Sequence, residues 1–175
     1  MKFHYILILL IFYISPIYSQ IDKNSYINEI DQYINLHEQD SLSMNISHLE
    51  ASGLIRQRKF KLYRKTIGGF SDYIAFNENT NDYFNYWYGS RYLNNKKNED
   101  LFFSVYFKNN QIVKFIKEIE TDAYKYATII YCKNDEIIGL ETNDPNFSLD
   151  EVQIYKDKAI KELNNYIKSH QKYKY

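Results

Sequence analysis

The chain has 175 residues with 22 basic and 22 acidic side chains, so it carries no net charge at pH 7. A balanced chain projects no global field, which excludes recognition of nucleic acid through bulk charge. Aromatic residues make up 18% of the chain, with nineteen Tyr and eleven Phe, and this excess favours strands because aromatic side chains fit a pleated, half-buried surface.

Residues 1–19 read as an export signal. Lys2 supplies a positive start, Phe3 to Ile14 an apolar run, Pro16 a helix break, and Ser19 a small residue before a cut at Gln20. The run falls short of the roughly twenty residues that a helix needs to cross a bilayer. The cleaved chain is therefore expected to be periplasmic or secreted and not membrane-spanning. Residues 20–175 are expected to form a single domain. Cys132 is the sole cysteine, so folding rests on the core and not on a disulfide within the chain.

Asp22 to Glu38 predicts a helix, with Tyr26, Ile27, Ile30, Tyr33 and Ile34 on one stripe. Ser41 to Ser47 alternates and predicts a strand, as does Arg56 to Lys65 through Phe60 and Leu62. Gly68-Gly69 then reads as a turn. Phe70 to Phe76 and Tyr83 to Tyr88 predict two more strands, and the polar stretch Asn94 to Asp100 predicts a loop.

An internal echo follows at an offset of 25 residues. Tyr106-Phe-Lys-Asn-Asn-Gln-Ile-Val113 lines up with Tyr131-Cys-Lys-Asn-Asp-Glu-Ile-Ile138. Each copy sets two residues that tolerate positive φ between β-rich arms, which predicts two successive hairpins. Counting back from the first turn puts Leu101, Phe103, Val105 and Phe107 on one face with Ile112 and Ile116. The other face then receives Phe102, Tyr106, Val113 and Phe115 beside Lys108, Gln111 and Lys117. Beyond Asp144-Pro145, Ser148-Leu-Asp-Glu151 is a capping box. It opens a C-terminal helix with the stripe Val152, Tyr155, Ala159, Leu163 and Tyr166.

A search for chemistry finds no zinc-binding HExxH, no phosphate loop and no GxSxG elbow. Glu118, Glu120 and Asp122 read as the solvated end of a hairpin. No catalytic residue, metal or cofactor is expected. Two clusters carry functional readings. Arg56, Arg58, Lys59, Lys61, Arg64 and Lys65 form either a charged edge that discourages pairing with other chains or a docking patch for an anionic surface. Tyr86, Trp87, Tyr88, Arg91 and Tyr92 belong to a stretch that either splits between core and cross-strand pairs or anchors a partner or sugar ring.

The hairpins Tyr106–Val113 and Tyr131–Ile138, set after an export signal, a helix and a strand, resemble those of small uncharacterised secreted or periplasmic proteins of Bacteroidetes-type bacteria. The likeness runs from about Gly68 to the C-terminal helix; it implies an exported β-hairpin protein and supplies no activity. The expected architecture is α+β: an antiparallel meander of about six or seven strands flanked by N- and C-terminal helices. The expected function is a non-enzymatic interaction module for an envelope or extracellular protein, acting through the tyrosine-rich sheet face. The alternative is a glycan- or anionic-surface-binding protein that uses the exposed aromatics and the basic run.

Overall fold

The computed structural model describes residues 22–39, 46–58, 64–77, 79–80, 82–94 and 97–172. The chain divides into two compact units, Met1–Gln39 and Asp40–Tyr175. In the first, residues 22–39 form helix α1. His37 donates from Nδ1 to the Tyr33 carbonyl at 2.8 Å and its ring meets the Tyr33 ring at 4.1 Å, which ties this histidine to its own helix. The export signal and residues 41–45 of the first expected strand lie outside the described residues.

The second unit is one antiparallel sheet of seven strands in sequence order, followed by a helix. The strands are β1 (Ile46–Arg58), β2 (Arg64–Asn77), β3 (Tyr83–Asn94), β4 (Lys97–Lys108), β5 (Gln111–Thr121), β6 (Lys125–Lys133) and β7 (Glu136–Thr142), and α2 is Leu149–Lys172. The chain is thus α+β, a meander with a helix before it and another after it. Among the described residues, no helix is long and apolar enough to cross a membrane.

Both halves of the echo are hairpins with positive φ at the two central residues: 53° and 60° at Asn109 and Asn110, 51° and 66° at Asn134 and Asp135. Mirror-image turns of this kind match the twist of the flanking strands. Asn110 also ties two connections together. Its side-chain oxygen accepts from the Tyr83 amide at 3.1 Å and its nitrogen donates to Asp82 at 3.0 Å.

The structure departs from expectation in four places. Gly68-Gly69 is no turn: both glycines lie inside β2 with no positive φ. A Cβ on Gly68 would come within 2.2 Å of the Arg91 carbonyl oxygen, so the glycine allows close approach of β3. The basic run is not one strand, because β1 ends at Arg58 and β2 starts at Arg64. The stretch Asn94 to Asp100 is mostly sheet, with Asn94 paired to Lys97 and Arg91 to Asp100. Finally, Phe115 and Lys117 share the face of Phe103, and Ile116 takes the other. Tyr106 pairs with Lys114 but Phe107 pairs with Ile112, leaving Val113 as an extra residue that flips the rest of β5.

The core cluster that packs with α2 lies on one face of the sheet. Ile74, Tyr86, Phe103, Val105, Phe115 and Ile130 pack there with Val152, Ala159 and Leu163 of α2. Tyr155 sets its ring 4.6 Å from Phe103 and 5.8 Å from Phe115. Cys132 is buried in the same core, and burial pushes its thiol above the usual range. The capping box is half formed: Ser148 accepts the Asp150 amide at 3.2 Å, whereas Glu151 turns to the Lys117 ammonium. Lys117 also lies 3.5 Å from Asp144, so sheet, connection and helix meet at a buried ion cluster.

Candidate functional site

Strand alternation divides the tyrosine-rich stretch of β3 between the two faces of the sheet. Tyr86, Tyr88 and Tyr92 fall on the α2 side. Tyr86 is fully buried, stands 5.8 Å from Phe103 and donates its hydroxyl to Asp72 at 3.3 Å. Burial, then the Asp72 charge, push its phenol well above the usual tyrosine range. Tyr88 stacks on Phe103 at 5.1 Å beneath the Lys158 ammonium, which lies 3.2 Å from its ring centre. Burial holds the Lys158 ammonium below the usual lysine range, against the pull of Asp72 and Glu162.

Trp87 and Arg91 take the opposite face, where they meet residues from β2 and β4. The register sets Tyr73 across from Trp87, Gly69 across from Arg91, Phe102 across from Gly89 and Asp100 across from Arg91. Three rings lie side by side across three strands. Tyr73 and Trp87 are 5.6 Å apart at 19°, and Trp87 and Phe102 are 6.0 Å apart at 28°. His48 of β1 meets the outer edge of this row, 5.9 Å from Tyr73.

Gly89 lets the indole lean along its own strand. A Cβ there would lie 2.5 Å from the far edge of the Trp87 ring. Beyond the row, Arg91 grips Asp100 with two hydrogen bonds, Nε to one carboxylate oxygen at 2.7 Å and Nη2 to the other at 2.5 Å. The Arg91 hydrogen bond holds the Asp100 carboxyl below the usual carboxylate range. Trp87, Phe102 and the ion pair border an open cavity of about 420 Å³, lined by Gly69, Phe70, Ser71, Trp87, Gly89, Ser90, Arg91, Asp100 and Phe102.

The basic run is placed elsewhere on the sheet. Arg56 and Arg64 are exposed and Lys65 is half-buried. The backbone register sets Arg58 opposite Arg64. Lys59 and Lys61 lie outside the described residues. Glu118 and Glu120 approach Lys125 at 3.9 and 3.6 Å. Among the described residues, no group of three His, Cys, Asp or Glu side chains could hold a metal ion.

Of the residues singled out from sequence, the structure brings Trp87 and Arg91 together at one site. It adds Gly69, Ser71, Gly89, Asp100 and Phe102, which sequence reasoning did not single out. Their signal was two glycines inside strands, which mark places where a ligand or another backbone comes close. No known family, curated protein or solved structure matches this chain.

Proposed function

We propose that the chain is an exported, non-enzymatic binding module whose contact site is the sheet face centred on Trp87. The supporting observation is the cavity between the Trp87–Phe102 wall and the Arg91–Asp100 pair. Its volume falls in the range of ligand clefts, roughly 300–1,000 Å³. Tryptophan and arginine are also the side chains that most often dominate binding energy. The tyrosines expected to share this work, Tyr86 and Tyr88, pack against the helix side and support the site from behind.

The test is capture from envelope and secreted fractions by the native chain and by Trp87→Ala. Material retained by the native chain and lost from the variant supports the reading. Identical capture by both overturns it.

A second reading draws on the β1–β2 corner. The backbone register returns Arg64 and Lys65 of β2 alongside the end of β1, and Arg56 and Arg64 are exposed there. Exposed positive charges gathered at one corner repel one another, and an anionic surface would relieve them. Binding to anionic vesicles that is lost on Arg56→Glu with Arg64→Glu, and falls as salt is raised, supports this reading. Binding unchanged by the charge reversal overturns it.

A further inference from the structure

We propose that the Trp87 cavity binds a neutral saccharide, with one pyranose ring lying between the aromatic wall and the Arg91–Asp100 pair. This assignment rests on the reading of that face as the binding site. Its first support is the shape of the floor. Gly69 contributes no side chain and nothing but the Gly53 carbonyl lies near its Cβ position, so a flat ring can settle on its backbone beside the Trp87 indole, which itself covers Gly89, and Phe102. The C–H face of a pyranose is apolar, and an amphipathic aromatic wall suits it.

The second support is the polar end. Arg91 spends two N–H groups on Asp100 and keeps others, and Asp100 keeps lone pairs on both oxygens. A ligand there meets donors and acceptors within one ion pair. Hydroxyl groups answer both, because each can donate and accept. The pair also cancels its own charge. An anionic ligand would lie against the Asp100 carboxylate, and a cation would face the Arg91 guanidinium, whose side chain is 68% exposed.

Gly69 makes the assignment testable. It pairs with Arg91, so a side chain at this position projects to the cavity face. A Cβ there would meet only the Gly53 carbonyl oxygen, at an ordinary 3.5 Å, and no glycine has positive φ. Gly69→Val therefore fills the cavity without straining the strand.

The chain contains one tryptophan, so its emission reports on this cavity directly. The full chain would be titrated with cellotriose, maltotriose and chitotriose, and with trigalacturonate as the charged counterpart. We expect a saturable change in Trp87 emission with at least one neutral trisaccharide. Gly69→Val should weaken it about tenfold or more while the circular dichroism spectrum stays native. Arg91→Gln, at an exposed side chain, should weaken it similarly and serves as the second variant if Gly69→Val does not fold. No change with any neutral sugar, a response to trigalacturonate alone, or binding indifferent to both variants overturns the assignment. Failure here with Trp87-dependent capture of a protein would leave the binding-module reading standing; loss of both would remove it too.

Discussion

The Lys117 ammonium lies 3.5 Å from an Asp144 oxygen and also bonds Glu151, with 6% of its side chain exposed and 4% of that of Asp144. Removing one member of a buried ion cluster leaves the others desolvated and unpaired, which typically costs 3–5 kcal/mol. Glu151 is partly solvated and can relax, so we expect Lys117→Met to lose about 3 kcal/mol in urea unfolding, at the low end of that range. The same group sets an alkaline limit. Burial works against the ammonium, but the Glu151 hydrogen bond, the Glu151 charge and Asp144 outweigh it, so its pKa rises above the ordinary 10.5. A base with a raised folded pKa contributes stability in full below the unfolded value and loses it as pH climbs through the folded one. The native chain should therefore lose stability above about pH 10.5 in a way that Lys117→Met does not, read by urea titrations across that window. Asp100 behaves in the opposite sense. The Arg91 hydrogen bond lowers its pKa from the ordinary 3.8, so the benefit of the pair is present above that value and fades as pH falls through the folded one. Sugar-induced changes in Trp87 emission should accordingly be flat from about pH 5 to 9, and a transition inside that window would count against the Arg91–Asp100 pair as the polar end of the site.

The two echo hairpins make a controlled comparison at the level of the element. Asn110 and Asp135 occupy the same turn position with positive φ, but Asn110 bonds Tyr83 and Asp82, whereas Asp135, its side chain 84% exposed, approaches Lys156 at 3.7 Å. An exposed ion pair is worth little, and glycine suits this position best. We expect Asp135→Gly to gain about 0.5 kcal/mol and Asn110→Gly to lose about 1 kcal/mol by thermal unfolding, the difference being the two side-chain hydrogen bonds. Elements of this kind were legible in sequence because their signals are local: paired turn residues, a period of two, a serine before a helical stripe. What stayed hidden depends on a single extra residue. Val113 in β5 and Ile138 in β7 are each the extra residue of a bulge, at matching places in the two copies, and the register skips Phe84 in β3 in the same way. A bulge reverses every later side chain in its strand, so counting from the turn put Phe115 and Lys117 on the wrong face. Gly68 misled for a different reason, since its requirement comes from the Arg91 carbonyl on the neighbouring strand. The site followed the same division. Trp87 and Arg91 stood out as large, chemically distinctive residues, while Gly69 and Asp100 joined them only through cross-strand register.

At the scale of the whole unit, β3 serves both sides of the sheet at once. Tyr86 is fully buried in the core, whereas Trp87, the next residue, faces the cavity. Stability should then follow depth in the meander and contact with α2. β4 runs between β3 and β5 and buries Phe103, Val105 and Phe107. β7 is the shortest strand, pairs with β6 alone among the described strands, and leaves Ile137 and Leu140 each 45% exposed. Regions with few buried contacts open locally, below the free energy of global unfolding, whereas core strands exchange only when the whole unit opens. Native-state hydrogen exchange across a denaturant series should place the amides of β4 on the global unfolding free energy and those of β7 at least about 2 kcal/mol below it. The cavity strands β2 and β3 should follow β4, because Ile74 and Tyr86 anchor them to the core behind the site. If Gly69, Gly89 and their neighbours exchange as easily as β7, the floor of the cavity is not preorganised. Any saccharide bound there would then have to order it, and slowed exchange confined to β2 and β3 on adding sugar would show that directly.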